Sequence, residues 1–370
     1  MHHEKDVTRR TFLSITAAAA TAVAAPFHKA AGAQSAQAQA APVAPPEIPT
    51  PGRPQGTDRF GDSVDGVPII DAHIHLFDGR RPEGATYMGS AAYRDKSRTS
   101  LPGLYAPLAR PSGIVGAIVV ESSALVEDNL WYLEVAQTDP IIVAVSGRLD
   151  PYTPEFGEFL GRYRKHPLYR AIRASRFYTN TNGKVTLDRV AVENLKALAQ
   201  ADLAQDTANP SIPLMTANVM LAEAIPTLRI IMDHLPAFDP TPENRSAYEA
   251  LIKELAARPN TFVKLSAVYH PRTDTRQVVD DYALLRDRLE YLYGMFGEDR
   301  VIFGTDYPNS YGVATISEEV GLMKRFFSTK THAQAEKCFW RNAAHVYKFV
   351  KRANDQPGLA RQSGPGTSSG

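Results

Sequence analysis

Eight short apolar runs, separated by stretches of helical character, constrain this chain more than any other feature. The first is Ile69–Phe77; others lie at Val115–Glu121, Ile141–Val145, Tyr169–Phe177, Asp202–Asp206, Leu228–His234, Asn260–Ser266 and Arg300–Asp306. Helical stretches read over 129–138, 154–165, 185–200, 214–223, 246–257 and 282–296, with two more after the last run, over 316–327 and 333–350. Short apolar runs bounded by turn residues are buried strands, and strands alternating with helices pair in parallel. Eight such units over about 280 residues predict an α/β fold, a single-domain (β/α)8 TIM barrel. An open doubly wound sheet is the alternative. No glycine-rich phosphate loop follows the first run, which removes the main reason to prefer it.

A barrel gathers the C-terminal ends of its strands into one mouth. Here those ends are polar: His73 and His75, then Glu121, Arg148, Arg173 with Arg176, Asp233-His234 and finally Asp306. Ionisable groups closing apolar runs are costly to bury without a role, so their convergence argues for an enzyme. His73 and His75 stand two residues apart, on one face of a strand and roughly 7 Å apart along it. On spacing alone the pair could be hydrogen-bonded surface residues. With His234 and Asp306 at matching strand ends, it reads as part of a site.

His73, His75 and Asp306 suit one divalent metal, Zn²⁺ or Mn²⁺, with a position left for water. Asp306 could also take a proton from water as general base, and His234 is either a ligand or a polariser of a substrate carbonyl. Arg148, Arg173 and Arg176 have two readings. They could fork onto a substrate carboxylate, or pair with Glu121, Asp150 or Asp233 at the rim. Arg173 and Arg176 are three apart, so only one should point inward. Lys264 could face inward, but snorkelling to the rim is the expected reading; His166, His270 and His332 are expected to be surface or cap residues and His345 structural. Cys338 is expected in the core.

Lys+Arg total 41 against Asp+Glu 40, a net charge of +1, so nothing in the bulk electrostatics favours nucleic acid or an anionic membrane. A single cysteine excludes internal disulfides and any multi-thiolate zinc site. Residues 1–40 read as a twin-arginine signal peptide: Arg9-Arg10 precedes Phe12-Leu13, an Ala-rich uncharged run follows, and Ala31-Gly32-Ala33 offers a cleavage site. The expected partners are therefore the twin-arginine export machinery and a small-molecule substrate. The expected location is periplasmic or secreted, with no stable membrane anchor after cleavage. Residues 41–66 read as a disordered linker, 67–352 as the barrel and 353–370 as a disordered tail, while 78–111 is a long loop and a candidate lid.

Asp-Ala-His-Ile-His-Leu-Phe at the first strand, Met-Asp-His-Leu-Pro at the sixth, Val-Lys-Leu-Ser-Ala at the seventh and Phe-Gly-Thr-Asp-Tyr-Pro at the eighth resemble the amidohydrolase superfamily. The likeness is to its amidohydrolase-related (amidohydrolase 2) branch, which holds 2-pyrone-4,6-dicarboxylate lactonase, sulfomuconolactone hydrolase and sugar lactonases. It spans about Val67 to Val350. The resemblance implies metal-side histidines at His73 and His75, a strand-six histidine at His234 and a catalytic aspartate at Asp306. Binuclear members bridge their ions with a lysine or glutamate at strand four, where this chain offers Arg173, and many add a strand-five histidine, which is missing here. The resemblance thus implies one ion at most, and a metal-free mode as in the pyrone-dicarboxylate lactonases. The expected activity is opening of a lactone or similar cyclic ester of a carboxylated small molecule. The alternatives are a metal-dependent decarboxylase of an unsaturated acid and a periplasmic small-acid binding protein without catalysis.

Overall fold

The computed structural model describes residues 49–83, 99–271, 275 and 277–358. Eight strands run in chain order around one sheet: β1 (Ile69–Ile74), β2 (Ile114–Val120), β3 (Ile142–Gly147), β4 (Tyr169–Arg173), β5 (Ala204–Asp206), β6 (Ile230–Met232), β7 (Thr261–Leu265) and β8 (Val301–Phe303). Every neighbouring pair is parallel. The ends of the sheet meet where the Asp306 amide donates to the His73 carbonyl (2.9 Å) and the His75 amide to the Tyr307 carbonyl (2.7 Å). The chain is a (β/α)8 barrel.

One helix follows each strand: α1 (Pro102–Ala109), α2 (Asp128–Thr138), α3 (Phe156–Tyr163), α4 (Arg189–Gln200), α5 (Ile212–Ala224), α6 (Pro242–Ala256), α7 (Tyr282–Phe296) and α8 (Ile316–Phe327). The strands are buried on both faces, which is why they read as continuous apolar runs rather than alternating ones. Their outward side chains pack under the helices in a large cluster that includes Ile142, Ile172, Met232 and Phe303. Their inward side chains, among them Ile70, Ile118, Ala171, Ala204, Ile231, Phe262 and Ile302, fill the barrel as a second cluster. A final helical run, His332–Tyr347 with a π turn at Lys337–Arg341, sends Ala343, Val346 and Tyr347 into that inner cluster. It closes the end opposite the mouth, where Arg229 Nε donates to the Val346 carbonyl and the Val350 amide to that of Val143.

Several local expectations are corrected. The part of the linker from 49 to 66 is not loose: the Gly56 amide donates to the Ser317 carbonyl (2.6 Å), Lys324 Nζ to the Gly56 carbonyl (2.6 Å), and Val64 is buried. Gly321 on α8 makes this approach possible, because a Cβ there would collide with the Pro54 carbonyl. The tail is ordered through 358, with Gln356 buried and its amide nitrogen held by the Val115 and Pro140 carbonyls. The expected loop over 78–111 contains α1, while 84–98 lie outside the described residues. The helix expected from Val185 starts at Arg189, because Tyr178–Thr181 and Lys184–Leu187 form a hairpin. Its turn residues Asn182 and Gly183 both have positive φ (51° and 82°), the Asn-Gly hairpin signature. The expected signal peptide, residues 41–48 of the expected linker and the tail beyond 358 also lie outside the described residues. Among the described residues, no helix is long and apolar enough to cross a membrane.

Candidate active site

The β1 end is where the sequence does most to shape the site. Register against β2 slips between Asp71 and Ile74, so strict alternation fails there. Asp71 pins the slipped segment to β8. Its carboxylate accepts from Tyr105 Oη (2.8 Å), the Thr305 amide (2.9 Å), Thr305 Oγ1 (2.6 Å) and the His73 amide (3.1 Å). The two imidazoles that follow converge, with His73 Nε2 and His75 Nε2 3.2 Å apart.

Asp306 faces them from the β8 end. Its Oδ1 lies 3.2 Å from His75 Nε2, 3.6 Å from His73 Nε2 and 3.7 Å from His234 Nε2. Asn309 Nδ2 donates to the same oxygen (3.2 Å). His234 is oriented by Ser266, whose Oγ lies 2.8 Å from Nδ1. Asp306 and His234 both sit in the left-handed region, with φ of 62° and 55°, as does Ala267 at 50°. Such backbone is sparsely populated for residues with a Cβ, and it turns side chains across the mouth that a regular strand end would aim elsewhere.

Among the described residues, His73, His75 and Asp306 form one of two groups compact enough to hold a cation; His73, Asp233 and His234 form the other. Tetrahedral ligands about 2.1 Å from an ion stand about 3.4 Å apart, which the 3.2, 3.2 and 3.6 Å separations of the first group match. His75 Nδ1 donates to the Val120 carbonyl (3.0 Å), leaving the Nε2 lone pair for a ligand. His73 Nδ1 lies 3.6 Å from Asp233 Oδ1 and 3.2 Å from Lys264 Nζ. The second group is the poorer fit, because Asp233 already answers to two side-chain cations. The first group fits a single divalent ion.

Burial, with Lys264 and the neighbouring imidazoles adding to it, pushes the His73 pKa well below the usual histidine value. Burial also lowers that of His234, so both rings are neutral at pH 7. Burial alone would raise the Asp306 carboxyl, but the imidazoles of His234, His75 and His73 outweigh it and hold the group ionised, below the usual carboxylate range.

The arginines divide as alternation requires. Arg173 points inward, with Nε donating to the Thr207 carbonyl (3.0 Å) and lying 3.4 Å from Asp233 Oδ2. Arg176 points outward, largely exposed, on Asp150 (3.1 Å). The Arg148 backbone is locked to the Asn129 side chain, while its own side chain has no ion pair among the described residues.

Lys264 overturns its rim assignment. It is fully buried, with Nζ 2.8 Å from Asp206 Oδ1 and 3.1 Å from Asp233 Oδ1. Tyr347 Oη donates to Asp206 Oδ1 (2.5 Å) from the closing helix. Asp206 and Tyr347 are residues beside the site that sequence reasoning missed, and Lys264 is one it placed at the rim, although strand parity carried a signal for the two strand residues. Each charged residue stands two positions after an inward apolar one, Ala204 before Asp206 and Phe262 before Lys264. His270 is likewise buried, with Nε2 2.8 Å from Arg288 Nη1, rather than a surface residue.

The profile of the amidohydrolase family matches residues 70–349. This chain belongs to that family. Its relatives include L-fucono-1,5-lactonase of Burkholderia ambifaria, 28% identical over 306 residues covering 78% of this chain and 98% of the relative. L-fucono-1,5-lactonase of Burkholderia multivorans is 25% identical over 309 residues, covering 78% and 99%. An amidohydrolase structure from Burkholderia multivorans with bound zinc superposes with a TM-score of 0.63 at 21% identity, covering 76% of this chain and all of that one. The chain is a lactonase-like hydrolytic enzyme with the family's barrel.

Proposed function

We propose that this enzyme opens the lactone ring of a small sugar-type acid by adding water at the His73–His75–His234–Asp306 cluster. The observation that carries this reading is the single carboxylate oxygen, Asp306 Oδ1, within 3.2–3.7 Å of three imidazole Nε2 atoms at the barrel mouth. Asp306, ionised and partly open to the mouth, takes a proton from water as the water oxygen bonds to the lactone carbonyl carbon. The ring C–O bond then breaks, and the same carboxyl returns the proton to the departing alkoxide, giving the open hydroxy acid. With the Ser266 hydroxyl donating to Nδ1, neutral His234 presents Nε2–H to the carbonyl oxygen where negative charge develops. A divalent ion, Zn²⁺ or Mn²⁺, held by His73, His75 and Asp306 would acidify water and polarise the carbonyl; zinc in the Burkholderia multivorans structure supports this choice.

The substrate is narrower than a dicarboxylate. Among the described residues, Arg173 and Arg176 are engaged by Asp233 and Asp150, which leaves Arg148 of the three to meet an anionic group. This fits a polyhydroxylated lactone, as the names of the curated relatives suggest. Export by the twin-arginine route and a periplasmic location belong to the same proposal, on the strength of residues 1–40, and cell fractionation tests them.

A panel of 1,4- and 1,5-aldonolactones beside a pyrone dicarboxylate, run in ¹⁸O-water, tests the assignment. One ¹⁸O should enter the product carboxylate, with an aldonolactone turned over fastest. Release of CO2 would make the enzyme a decarboxylase, and tight binding without turnover would make it a binding protein. Either result overturns the reading.

A further inference from the structure

A segment that precedes the family match is wired into the loops bearing the catalytic cluster. We propose that Arg53 is a positioning residue for the hydrolytic centre: it clamps the loop after β7, which carries Ser266, to the loop after β8, which carries Asp306. The inference rests on the reading of Asp306 as the base.

The Arg53 side chain is 7% exposed although it comes from outside the barrel. Its Nε donates to Asp280 Oδ1 (2.8 Å) at the far end of the β7–α7 connection. Its Nη1 donates to the Val313 carbonyl (2.9 Å) in the β8–α8 connection. The guanidinium also lies over the Tyr269 ring, 4.3 Å from its centre, and 3.8 Å from Glu318 Oε2. A planar, rigid fork spans two acceptors on separate loops while stacking on a ring between them, from nitrogens held apart; the single ammonium of a lysine here would have to bring both acceptors to one point.

From each arm a short path leads to the cluster. On the β8 side, the Val313 amide donates to the Ser310 carbonyl (2.7 Å), the Ser310 amide to the Asp306 carbonyl (3.1 Å), and Ser310 Oγ to the Thr305 carbonyl (2.6 Å). On the β7 side, Asp280 directly follows Val279, whose amide donates to the His270 carbonyl (2.9 Å), and Tyr269 lies three residues after Ser266. Asp306 and Ala267, one on each loop, hold left-handed backbone that persists only where the surroundings fix it. The strap is anchored on both sides of Arg53: the Thr50 amide donates to Glu318 Oε1 (2.6 Å), and Gly56 is held by Ser317 and Lys324. α8 is thus the rail from which Arg53 reaches the two loops.

The test uses Arg53→Met, Arg53→Lys and Asp280→Asn in the full chain, read by peptide-resolved hydrogen exchange and by kcat and KM on the fastest lactone. In Arg53→Met, exchange in 266–271 and 305–315 should rise about tenfold while β2 to β5 keep their protection. Its kcat should fall about tenfold with KM nearly unchanged, because the base is displaced rather than the substrate lost. Arg53→Lys should fall between it and wild type, and Asp280→Asn should loosen the β7 side alone. Exchange that stays at the wild-type level in both loops overturns the clamp. So does a rise spread evenly over the barrel, or loosened loops with unchanged kcat. If the wild type opens no lactone, the proposed function fails, and the exchange data still decide the clamp.

Discussion

On the β8–β1 side of the barrel mouth, ring nitrogens of two histidines and a carboxylate oxygen of Asp306 converge, and the nearby cation Lys264 touches only the far nitrogen of His73, Nδ1. On the β4–β7 side, the inward strand ends carry Arg173, Asp206, Asp233 and Lys264, two cations and two carboxylates within 2.8–3.4 Å contacts. Both groups are buried and both sit at strand ends. The second is charge-balanced within itself, so it serves as framework. The first leaves acceptor capacity pointed into the mouth, which is what a cation, a water or a substrate carbonyl can use. Buried charge alone therefore does not mark a catalytic group; uncompensated, convergent lone pairs do.

The largest effect should come from breaking the balanced side. Lys264→Met leaves buried Asp206 to the Tyr347 hydroxyl and buried Asp233 to Arg173, and should cost about 3–5 kcal/mol in denaturant unfolding. Adding Asp206→Asn should recover part of that loss. A single mutant as stable as wild type would remove the contrast between the two sides.

A smaller loss is expected where the reactive side is braced. Thr305→Val takes from buried Asp71 Oδ2 one of its two donors, leaving Tyr105 Oη, and should cost about 1 kcal/mol. Its kcat should drop as well, because the brace sets the His73 backbone.

The smallest effect is on pH. His73 and His234 are depressed in the folded state, so between their folded values and 6.5 the unfolded chain binds more protons. Stability should therefore be complete above pH 6.5 and decline as pH falls below it, by at most about 1.4 kcal/mol per pH unit for each group. Urea midpoints from pH 8 to pH 5 check the sign. A rise in stability on acidification would mean that the imidazoles are paired as cations.

The barrel was legible because β1 to β8 are buried on both faces, and uninterrupted apolar runs between helices have few other solutions. The meeting of His73, His75, His234 and Asp306 was legible because each lies at or just beyond the C-terminal end of such a run. Lys264 was not, because a lone lysine in Phe-Val-Lys-Leu carries no local sign of its partners, which come from β5 and β6. Asp206 was hidden by the brevity of β5, three residues long. The convergence of the two imidazoles depends on a register slip and left-handed backbone at Asp306 and His234, which neither propensity nor periodicity encodes. The Arg53 strap escaped because a proline- and glycine-rich stretch reads as linker whether or not it finds acceptors on a folded surface.

The central claim is that Asp306 is the base of a hydrolytic centre, and one substitution addresses it most directly. Asp306→Asn keeps the size of the side chain and removes its basicity. The account predicts a thermal midpoint near that of wild type and a kcat for lactone opening about a thousandfold lower. A folded Asp306→Asn enzyme that opens the same lactone at the wild-type rate would contradict it.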